Sequence, residues 1–326
     1  MRALITGITG FAGGFLAEHL LARGDDVLGC SRSGRWPGWA GAELRRIEVL
    51  ACDFGDAAGI DELALRQISD FAPDCLYHLA ALSVPVDCGT LEPTPRAIEV
   101  NVNGTGRLLE LAARLPRRPR VLLISTSHVY GGATRDRHVF DETTPAAPCR
   151  AYGKTKWAAE QLATRAHHEQ ALDTLIVRSF QHTGPRQEPR LMLPEWVAQY
   201  VQGGNDPVRV KHLDAWIDLS DVRDVVRAYR LLAERGERGG TYNVGSGMPR
   251  RTGDILNLLA AQADPDREMI ELQPGPERWD PIADIGRLQA ATGWRSEIAL
   301  EKTVRDTLEY WRDQRATELG HIPRAC

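Results

Sequence analysis

The chain has 326 residues, enough for one large or two modest domains, and its hydrophobic content of 43% is ordinary for a globular protein. Lys and Arg number 40 against 44 Asp and Glu, so the formal net charge is −4 and no overall basic field favours nucleic acid or a membrane. The N-terminus runs directly into an apolar strand, and no apolar run approaches the roughly 20 residues of a membrane span. These features predict a cytoplasmic protein that binds neither nucleic acid nor a membrane.

The six cysteines show no CxxC pair and no regular spacing. Cys30, Cys52 and Cys75 lie in or beside apolar runs, whereas the others are Cys88, Cys149 and Cys326. The pattern predicts buried free thiols at the first three positions, and it supports neither a zinc site nor disulfides. No metal is predicted.

The first motif is a strand, a glycine-rich turn and a helix. An apolar run from Arg2 to Thr6 precedes the turn, and helical spacing of apolar residues continues from Phe15 to Leu21. Glycines let the backbone approach a pyrophosphate, and free N–H groups at a helix N-terminus meet its charge. In this context the turn predicts a dinucleotide site formed by Gly7, Thr9, Gly10, Phe11, Ala12 and Gly13.

The second predicted strand, Asp26 to Cys30, ends at Ser31-Arg32-Ser33. Sites that prefer NAD carry an acidic residue at this point for the ribose hydroxyls, whereas an arginine can pair with the 2′-phosphate of NADP. Arg32 therefore predicts NADP as the cofactor, with NAD as the alternative. An exposed loop arginine is the other interpretation.

Strands and helices continue to alternate up to about residue 180. Further strands are predicted at 47–50, 75–79, 121–125 and 174–179. This order predicts an α/β fold with a Rossmann-type, doubly wound and mostly parallel sheet. Ligands of such sheets bind at the C-terminal ends of the strands, where Asp53, Ala80 to Ser83 and Thr126 also fall.

The strict alternation ends after Ser179. A loop at 181–187 is followed by predicted helices at 194–201, 253–263 and 300–312, with one more strand at 241–244. These pieces predict a smaller C-terminal substrate-binding lobe. We expect 1–178 to form the dinucleotide-binding domain with 207–233 returning to it, and the lobe to comprise 179–206 and 234–326.

Two stretches carry the predicted chemistry. Ile124 to Gly131 supplies the hydroxyl of Thr126, and Ala151 to Lys156 supplies a phenol and an ammonium. If Tyr152 opens a helix, Lys156 lies one turn later on the same face, so the two head groups can meet. The ammonium would lower the pKa of the phenol from about 10, and the phenol could then transfer protons in carbonyl and alcohol redox chemistry. A solvated helix face is the alternative interpretation of this spacing.

Taken in order, the motifs resemble the extended short-chain dehydrogenase/reductase family, specifically its nucleotide-sugar epimerases, dehydratases and reductases. The resemblance extends over essentially the whole chain. The matching motifs are TGxxGFxG at 6–13, HLAA at 78–81, NVxGT at 101–105, STSxVYG at 125–131 and YxxxK at 152–156. Within the family the likeness is greatest to the GDP-4-keto-6-deoxy-mannose reductases, through 221–229, 241–247 and 291–311.

The resemblance implies roles for residues around these motifs. Thr126 and Tyr152 would hold the C4 oxygen of a nucleotide sugar, and Lys156 would bond the nicotinamide ribose. The cofactor site would also include Asp53, Phe54, Leu79, Ala80, Ala81, Ser83, Tyr152 and Lys156. Substrate contacts would come from Ser83, Ser127, His128, Gln181, Arg186, Lys211 and Arg278. A homodimer through a four-helix bundle of the helices at 96–115 and 152–170 is implied as well. Apolar residues of these helices, such as Leu108, Leu109, Trp157 and Leu162, exceed what one side of the sheet needs and are expected at that interface.

Three departures from the family pattern bear on the reaction. His128 stands where dehydratases carry Glu, Gln181 replaces an Asn, and Ile217 replaces an Arg whose charge Arg186, Arg190, Lys211 or Arg278 would have to supply. His128 has an unperturbed pKa of about 6.5 and could act as an acid or base, or it could only hydrogen-bond the sugar. We therefore predict an NADP(H)-dependent reductase of an NDP-4-keto-6-deoxy sugar, with GDP favoured. The alternatives are a 4-epimerase, then a 4,6-dehydratase, and a non-enzymatic NADP-sensing regulator.

Overall fold

A computed structural model describes residues 1–204 and 206–318 of the chain. Among these residues, no helix is both long enough and apolar enough to cross a membrane. Cys30, Cys52 and Cys75 are buried free thiols, as predicted, and Cys326 lies outside the described residues.

Strands and helices alternate through the first part of the chain. In order they are β1 (Arg2–Thr6), α1 (Phe11–Ala22), β2 (Asp26–Ser31), β3 (Val49–Ala51), α2 (Glu62–Phe71), β4 (Cys75–His78), α3 (Pro95–Ile98), α4 (Gly104–Arg114), β5 (Arg120–Thr126), β6 (Val139–Phe140), α5 (Ala151–Gln170), β7 (Thr174–Ser179) and β8 (Gln181–Thr183). A π-helical turn, Glu99–Asn103, joins α3 directly to α4, so the helix predicted at 96–115 is one helical stretch with a π turn inside it.

The second part has mostly shorter strands, and several of them follow one another without a helix between them. Its elements are α6 (Met192–Gln202), β9 (Val208–Val210), β10 (Ala215–Asp221), α7 (Val222–Arg235), β11 (Thr241–Val244), β12 (Pro249–Arg251), α8 (Thr252–Ala263), β13 (Met269–Glu271), β14 (Arg278–Trp279), β15 (Ile282–Ala283), α9 (Gly286–Thr292) and α10 (Leu300–Glu318).

The central sheet has the order β11-β7-β5-β4-β1-β2-β3 among the described residues, and every pairing in it is parallel. Strands buried on both faces read as continuous apolar runs, and all six residues of β7 are buried. Apolar clusters cover both faces of the sheet, one including Leu16, Leu122 and Tyr229 and the other including Leu4, Leu123 and Ala159. The predicted Rossmann-type fold is confirmed.

The domain boundaries need two corrections. β11 pairs with β7 from Thr241 to Val244, so this strand completes the central sheet, although 234–326 was assigned to the lobe. β9 pairs with β13 from Val208 to Val210, outside the central sheet, although 207–233 was assigned to the dinucleotide-binding domain. Short strands of three or four residues carry no period that reveals their pairing partner, and pairing decides domain membership here.

The lobe has its own apolar core. α6, α8 and α10 pack around β10 through residues such as Trp196, Ile217, Leu256 and Val304. Apolar side chains recur three and four residues apart on α10, as predicted for 300–312, although the helix continues to Glu318. The lobe therefore stands beside the sheet edge as a packed unit.

Two of the four apolar residues expected at the bundle interface are buried within the single chain. α4 and α5 lie side by side, but Leu108 and Leu109 are 0% and 4% exposed within the single chain. The prediction treated both as surplus to the core, and that was wrong because α4 packs them against the sheet. Trp157 and Leu162 remain partly exposed.

Candidate active site

A cavity of about 860 Å³ lies at the C-terminal edge of the central sheet. Its walls come from residues at or just after the ends of β1, β2, β3, β4, β5 and β7, with residues of α6 and β10 on the lobe side. Ligands of open parallel sheets bind at this edge. Each predicted site residue can therefore be checked against the residues that line this cavity.

In the turn between β1 and α1, glycines expose the backbone to the cavity. Gly7 has a φ of +71°, and a Cβ atom there would lie 2.8 Å from the backbone nitrogen of Ala80. A Cβ atom at Gly13 would lie 2.2 Å from the carbonyl oxygen of Gly7. Gly10 caps α1 without a side-chain hydrogen bond, so the helix N-terminus presents N–H groups and a positive dipole that suit a pyrophosphate. The six residues predicted in this turn all line the cavity, namely Gly7, Thr9, Gly10, Phe11, Ala12 and Gly13.

The ends of β2 and β3 form the next part of the wall. Arg32 is exposed and lines the cavity, and its side chain forms no hydrogen bond or ion pair with any other described residue. Asp53 accepts a hydrogen bond from the backbone N–H of Gly55 at 2.9 Å, and its other oxygen lies 3.4 Å from Nη2 of Arg96. The remaining predicted cofactor residues along this wall also line the cavity, namely Phe54, Leu79, Ala80, Ala81 and Ser83.

Thr126, Tyr152 and Lys156 share one wall. Thr126 is the last residue of β5, Tyr152 is the second residue of α5, and Lys156 follows one turn later with 3% exposure. A Cβ atom at Gly153 would lie 2.4 Å from the carbonyl oxygen of His128, so the glycine lets α5 begin directly against the segment after β5. The structure thus brings together the trio that the motifs predicted.

Burial dominates the ionisation of this trio. Burial raises the pKa of Tyr152 above its usual value of 10.0, the Cys88 thiol adds to the rise, and the Thr126 hydroxyl opposes it. Burial also lowers the pKa of Lys156 to about 8, with the Glu160 carboxylate opposing. The prediction that Lys156 lowers the pKa of Tyr152 is wrong for the chain alone, because desolvation of a phenolate outweighs the nearby groups. Tyr152 is therefore a neutral phenol that can donate a proton.

A buried ion pair lies behind the trio. The side chains of Glu160 and Arg178 are 1% and 7% exposed, and Nη2 of Arg178 lies 2.8 Å from Oε2 of Glu160. The Ser125 hydroxyl donates to Oε1 of Glu160 at 2.5 Å, so the pair ties the end of β5 to α5. Sequence analysis missed this pair. The signal for Glu160 was its spacing of four residues from Lys156, which places both on one helix face.

His128 and Ser127 complete this wall and line the cavity. The His128 ring lies edge-on to the Tyr152 ring, with centroids 5.7 Å apart. Burial lowers the pKa of His128, with the Asp280 carboxylate opposing, so the imidazole is neutral at neutral pH. The cavity residues contributed by β5, by the turn after it and by α5 include no carboxylate.

On the lobe side, two of the predicted substrate residues line the cavity but already have partners. The Gln181 amide donates to Oδ2 of Asp280 at 2.9 Å. Nη1 and Nη2 of Arg186 lie 2.8 Å and 2.7 Å from the two carboxylate oxygens of Glu18 on α1. Ligand binding by either side chain would compete with these contacts.

Lys211 and Arg278 are exposed and do not line this cavity. Arg278 pairs with Ala215, whereas the β10 residue in the cavity wall is Leu219, four positions or roughly 13 Å along the strand. Lys211 precedes β10 and is farther still along the chain. Neither residue belongs to this cavity wall, and a contact of either one with the substrate stays a prediction. Ile217, which stands in place of the family arginine, is 1% exposed in the lobe core.

Three further residues of the cavity wall, Trp39, Ser179 and Tyr229, were not predicted as site residues. Trp39, in the loop after β2, packs against Gly14, where a Cβ atom would lie 2.6 Å from the indole ring. The hydroxyl groups of Tyr229 and Ser179 are 2.6 Å apart and form a hydrogen bond. Tyr229 ends the stretch 221–229 that carries part of the family likeness, but only the packing of distant segments brings these three residues to the cavity.

Comparison with known proteins identifies the family of this chain. The model of the NAD dependent epimerase/dehydratase family matches residues 3–245, well over half of the chain. The chain belongs to this family. The resemblance stated from the motifs is therefore confirmed, together with the prediction of an enzyme of the short-chain dehydrogenase/reductase type.

Individual members of the family are similar along almost their full length. GDP-6-deoxy-D-mannose reductase of Pseudomonas aeruginosa is 27% identical over 321 residues, covering 96% of this chain and 98% of that protein. The structure of RMD from Pseudomonas aeruginosa complexed with NADPH has a TM-score of 0.80 at 26% identity, covering 96% of this chain and 99% of the other. TunA, an NAD-dependent NDP-hexosamine 5,6-dehydratase, has a TM-score of 0.80 at 30% identity, covering 96% and 98%. These relatives differ in reaction and in cofactor.

Proposed function

We propose that this enzyme reduces the C4 carbonyl of a nucleotide-activated 4-keto-6-deoxy hexose, with NADPH as the cofactor and a GDP-linked sugar as the favoured substrate. The observation that carries the proposal is the composition of the catalytic wall, by which we mean the cavity residues contributed by β5, the turn after it and α5. It holds a hydroxyl, a neutral phenol, an ammonium and a neutral imidazole, but no carboxylate. A reductase needs a proton donor at the carbonyl oxygen, which the buried phenol supplies. A dehydratase needs in addition a base for the C5 proton.

The residues would share the reduction as follows. A bound nicotinamide supplies the hydride that adds to C4. The hydroxyls of Thr126 and Tyr152 would hold the C4 oxygen, and Tyr152 would donate its proton to that oxygen as negative charge develops there. Lys156, with a pKa of about 8, would carry its charge at neutral pH, bond the nicotinamide ribose and stabilise the phenolate that remains.

NADP is favoured over NAD because Arg32 is exposed at the end of β2, lines the cavity and is free to meet a 2′-phosphate. Arg32→Ala should weaken NADPH binding by roughly tenfold or more, as expected for loss of a charge-assisted bond, and should change NADH binding little. Fluorescence titration of both cofactors measures this. Arg35→Ala, in the same loop but outside the cavity wall, is the matched control. Equal losses for the two cofactors, or a wild-type preference for NADH, would contradict the choice.

The reaction is tested with purified protein, GDP- and UDP-hexoses, their 4-keto-6-deoxy derivatives, and NADPH or NADH. We expect consumption of NADPH in step with loss of the 4-keto sugar, followed by absorbance and by NMR of the product. Exchange between C4 epimers without net use of cofactor would instead identify an epimerase. Formation of a 4-keto-6-deoxy sugar from the hexose without added NADPH would identify a dehydratase.

We also propose that two copies associate through α4 and α5, and that the enzyme works in the cytoplasm. Support for association comes from the side-by-side packing of the two helices and the partial exposure of Trp157 and Leu162. Sedimentation at micromolar concentration is expected to give a dimer that Leu162→Glu separates. A monomeric wild type would contradict the proposal.

A further inference from the structure

Arg186 sits in the loop between β8 and α6, and this loop reaches across to α1. The guanidinium carbon lies 3.7 Å from the ring centroid of Phe15 and 4.8 Å from that of Trp39. Two of its N–H groups are bonded to Glu18 at 2.8 Å and 2.7 Å, and the side chain is only 12% exposed. Three side chains from two segments, α1 and the loop after β2, therefore converge on Arg186.

The backbone of Arg186 is also unusual. Its φ is +70°, in the left-handed region that residues with a Cβ atom seldom adopt. Such a conformation persists only where surrounding contacts hold it. Within the loop, the Thr183 hydroxyl donates to Oε1 of Gln187 at 2.6 Å, and Nε2 of Gln187 donates to the carbonyl oxygen of His182 at 3.0 Å. The loop is thus braced in the shape that points Arg186 at α1.

β8, which leads into this loop, makes a second contact with the same helix. The His182 ring stacks on the Phe11 ring with centroids 6.0 Å apart and an interplanar angle of 8°. Phe11 is the first residue of α1, directly after the glycine turn. Trp39 and Arg186 line the same cavity as the glycine turn. The loop after β2 and the loop before α6 therefore meet over the N-terminal part of α1, beside the wall suited to a pyrophosphate.

We propose that Arg186 is a clasp that retains the bound dinucleotide, with Glu18, Phe15 and Trp39 as its socket, and that the clasp opens for the cofactor to enter and leave. Arg186 is then a positioning residue of the cofactor half, and it does not bind the sugar nucleotide as the sequence predicted. The inference rests on the proposed use of a nicotinamide dinucleotide, but not on the proposed reaction. A reductase must exchange its cofactor in every turnover, so the clasp would limit the exchange rate.

The test measures binding and release of NADPH alone, by stopped-flow fluorescence with an excess of NADP as the chase. Arg186→Gly removes the side chain and relieves the left-handed backbone, so this variant is expected to fold. Glu18→Gln keeps both and removes only the charge pairing. Each should speed NADPH release by about tenfold, the scale of a partly desolvated cation–π contact or a bidentate charge-assisted bond, and should speed entry as well. Arg190→Gln is the matched control. Arg190 lies in the same loop as Arg186, pairs with Asp87 at 3.1 Å and does not line the cavity.

The combination of rates separates a clasp from a direct ligand. A clasp that opens and closes changes entry and release together, so the equilibrium affinity shifts less than either rate. Faster release with unchanged entry would overturn the proposal, because Arg186 would then contact the cofactor directly. Wild-type rates in both variants, or an equal effect of Arg190→Gln, would overturn it too. A wild type that binds neither NADPH nor NADH would refute the proposed function as well as the clasp, whereas normal binding without turnover of a 4-keto sugar would refute the reaction alone.

Discussion

The two halves of the cleft are built in different ways. On the dinucleotide side, the wall is mostly backbone and small side chains at strand ends, with the N-terminus of α1 and the Arg32 guanidinium free of internal partners among the described residues. On the sugar side, polar side chains are already engaged, as Gln181 is with Asp280 at 2.9 Å. Ile217, where the family carries an arginine, is buried in the lobe core.

This difference has a consequence for binding. At the glycine turn and at Arg32, a dinucleotide would meet groups that need little rearrangement, and preorganised groups lose little entropy when a ligand arrives. Under the proposed function, a sugar nucleotide would have to displace internal contacts, and part of its binding energy would be used to reorganise the lobe side. Thr126, Tyr152 and Lys156 lie where the two halves meet, and we call these three residues the seam. Substitutions on either side of this seam should therefore affect different measurements.

The largest effect is expected at the seam itself. Tyr152→Phe removes the proton donor while keeping the ring, so the rate of 4-keto sugar reduction should fall by about 10² to 10⁴-fold, the usual contribution of general acid catalysis. NADPH affinity should stay nearly unchanged, because the phenol acts mainly in the transition state. Steady-state kinetics and fluorescence titration measure the two quantities. Tyr310→Phe, on α10, serves as the control, and a parallel loss of cofactor binding would show that the phenol supports the dinucleotide half instead.

A substitution at a glycine of the turn tests the dinucleotide half. In Gly13→Ala the added Cβ atom would lie 2.2 Å from the carbonyl oxygen of Gly7, so α1 must shift away from the turn. Overpacking of this kind should lower the free energy of unfolding by about 1–3 kcal/mol and weaken NADPH binding. Denaturant unfolding measures the stability. Gly38→Ala is matched, since a Cβ atom there has no neighbour within 4 Å, and a cost as large as that at Gly13 would mean that propensity rather than close approach is responsible.

The dinucleotide half was also the part that could be predicted from sequence. Its turn, its strand ends and the pair Tyr152 and Lys156 lie in short contiguous motifs, and local spacing is enough to place them. The partners of Arg186 and Gln181 lie 168 and 99 positions away in the chain, and no local pattern announces such pairs. The prediction that the pKa of Tyr152 is lowered was wrong for a related reason. Spacing identifies the neighbouring charge, but only the packed structure reveals the burial that outweighs it.

Lys156 offers a smaller effect with a defined pH dependence. Burial lowers its pKa from 10.5 to about 8, a shift that corresponds to about 3 kcal/mol at most. Between these two pH values the unfolded chain binds more protons than the native chain, so the stability of the wild type rises with pH through this window. Lys156→Met lacks the penalty and should be more stable than the wild type below pH 8, with a gap that shrinks toward pH 10.5.

Thermal unfolding across this pH range measures the gap. Lys154→Met is the control, since Nζ of Lys154 lies 2.6 Å from the exposed carboxylate of Glu92 and the side chain is 35% exposed. It should give no comparable gain. A gap that widens as pH rises would contradict the burial of a charged ammonium at this position.

The smallest effect separates a reductase from a dehydratase. His128 lies edge-on to Tyr152 in the cavity wall, and burial holds its pKa below 6.5, so it faces the cavity as a neutral imidazole. In a reductase it would contribute one hydrogen bond to the substrate, and His128→Ala should then lower the catalytic efficiency by no more than roughly tenfold, the scale of a neutral hydrogen bond. The pH profile should also keep its shape, because an imidazole that stays neutral adds no ionisation to the reaction. A loss comparable to that of Tyr152→Phe, with a limb of the pH profile removed by His128→Ala, would show that the imidazole transfers protons. The catalytic wall would then contain the second acid–base group that dehydration requires, and the sugar half would be chemically as active as the seam.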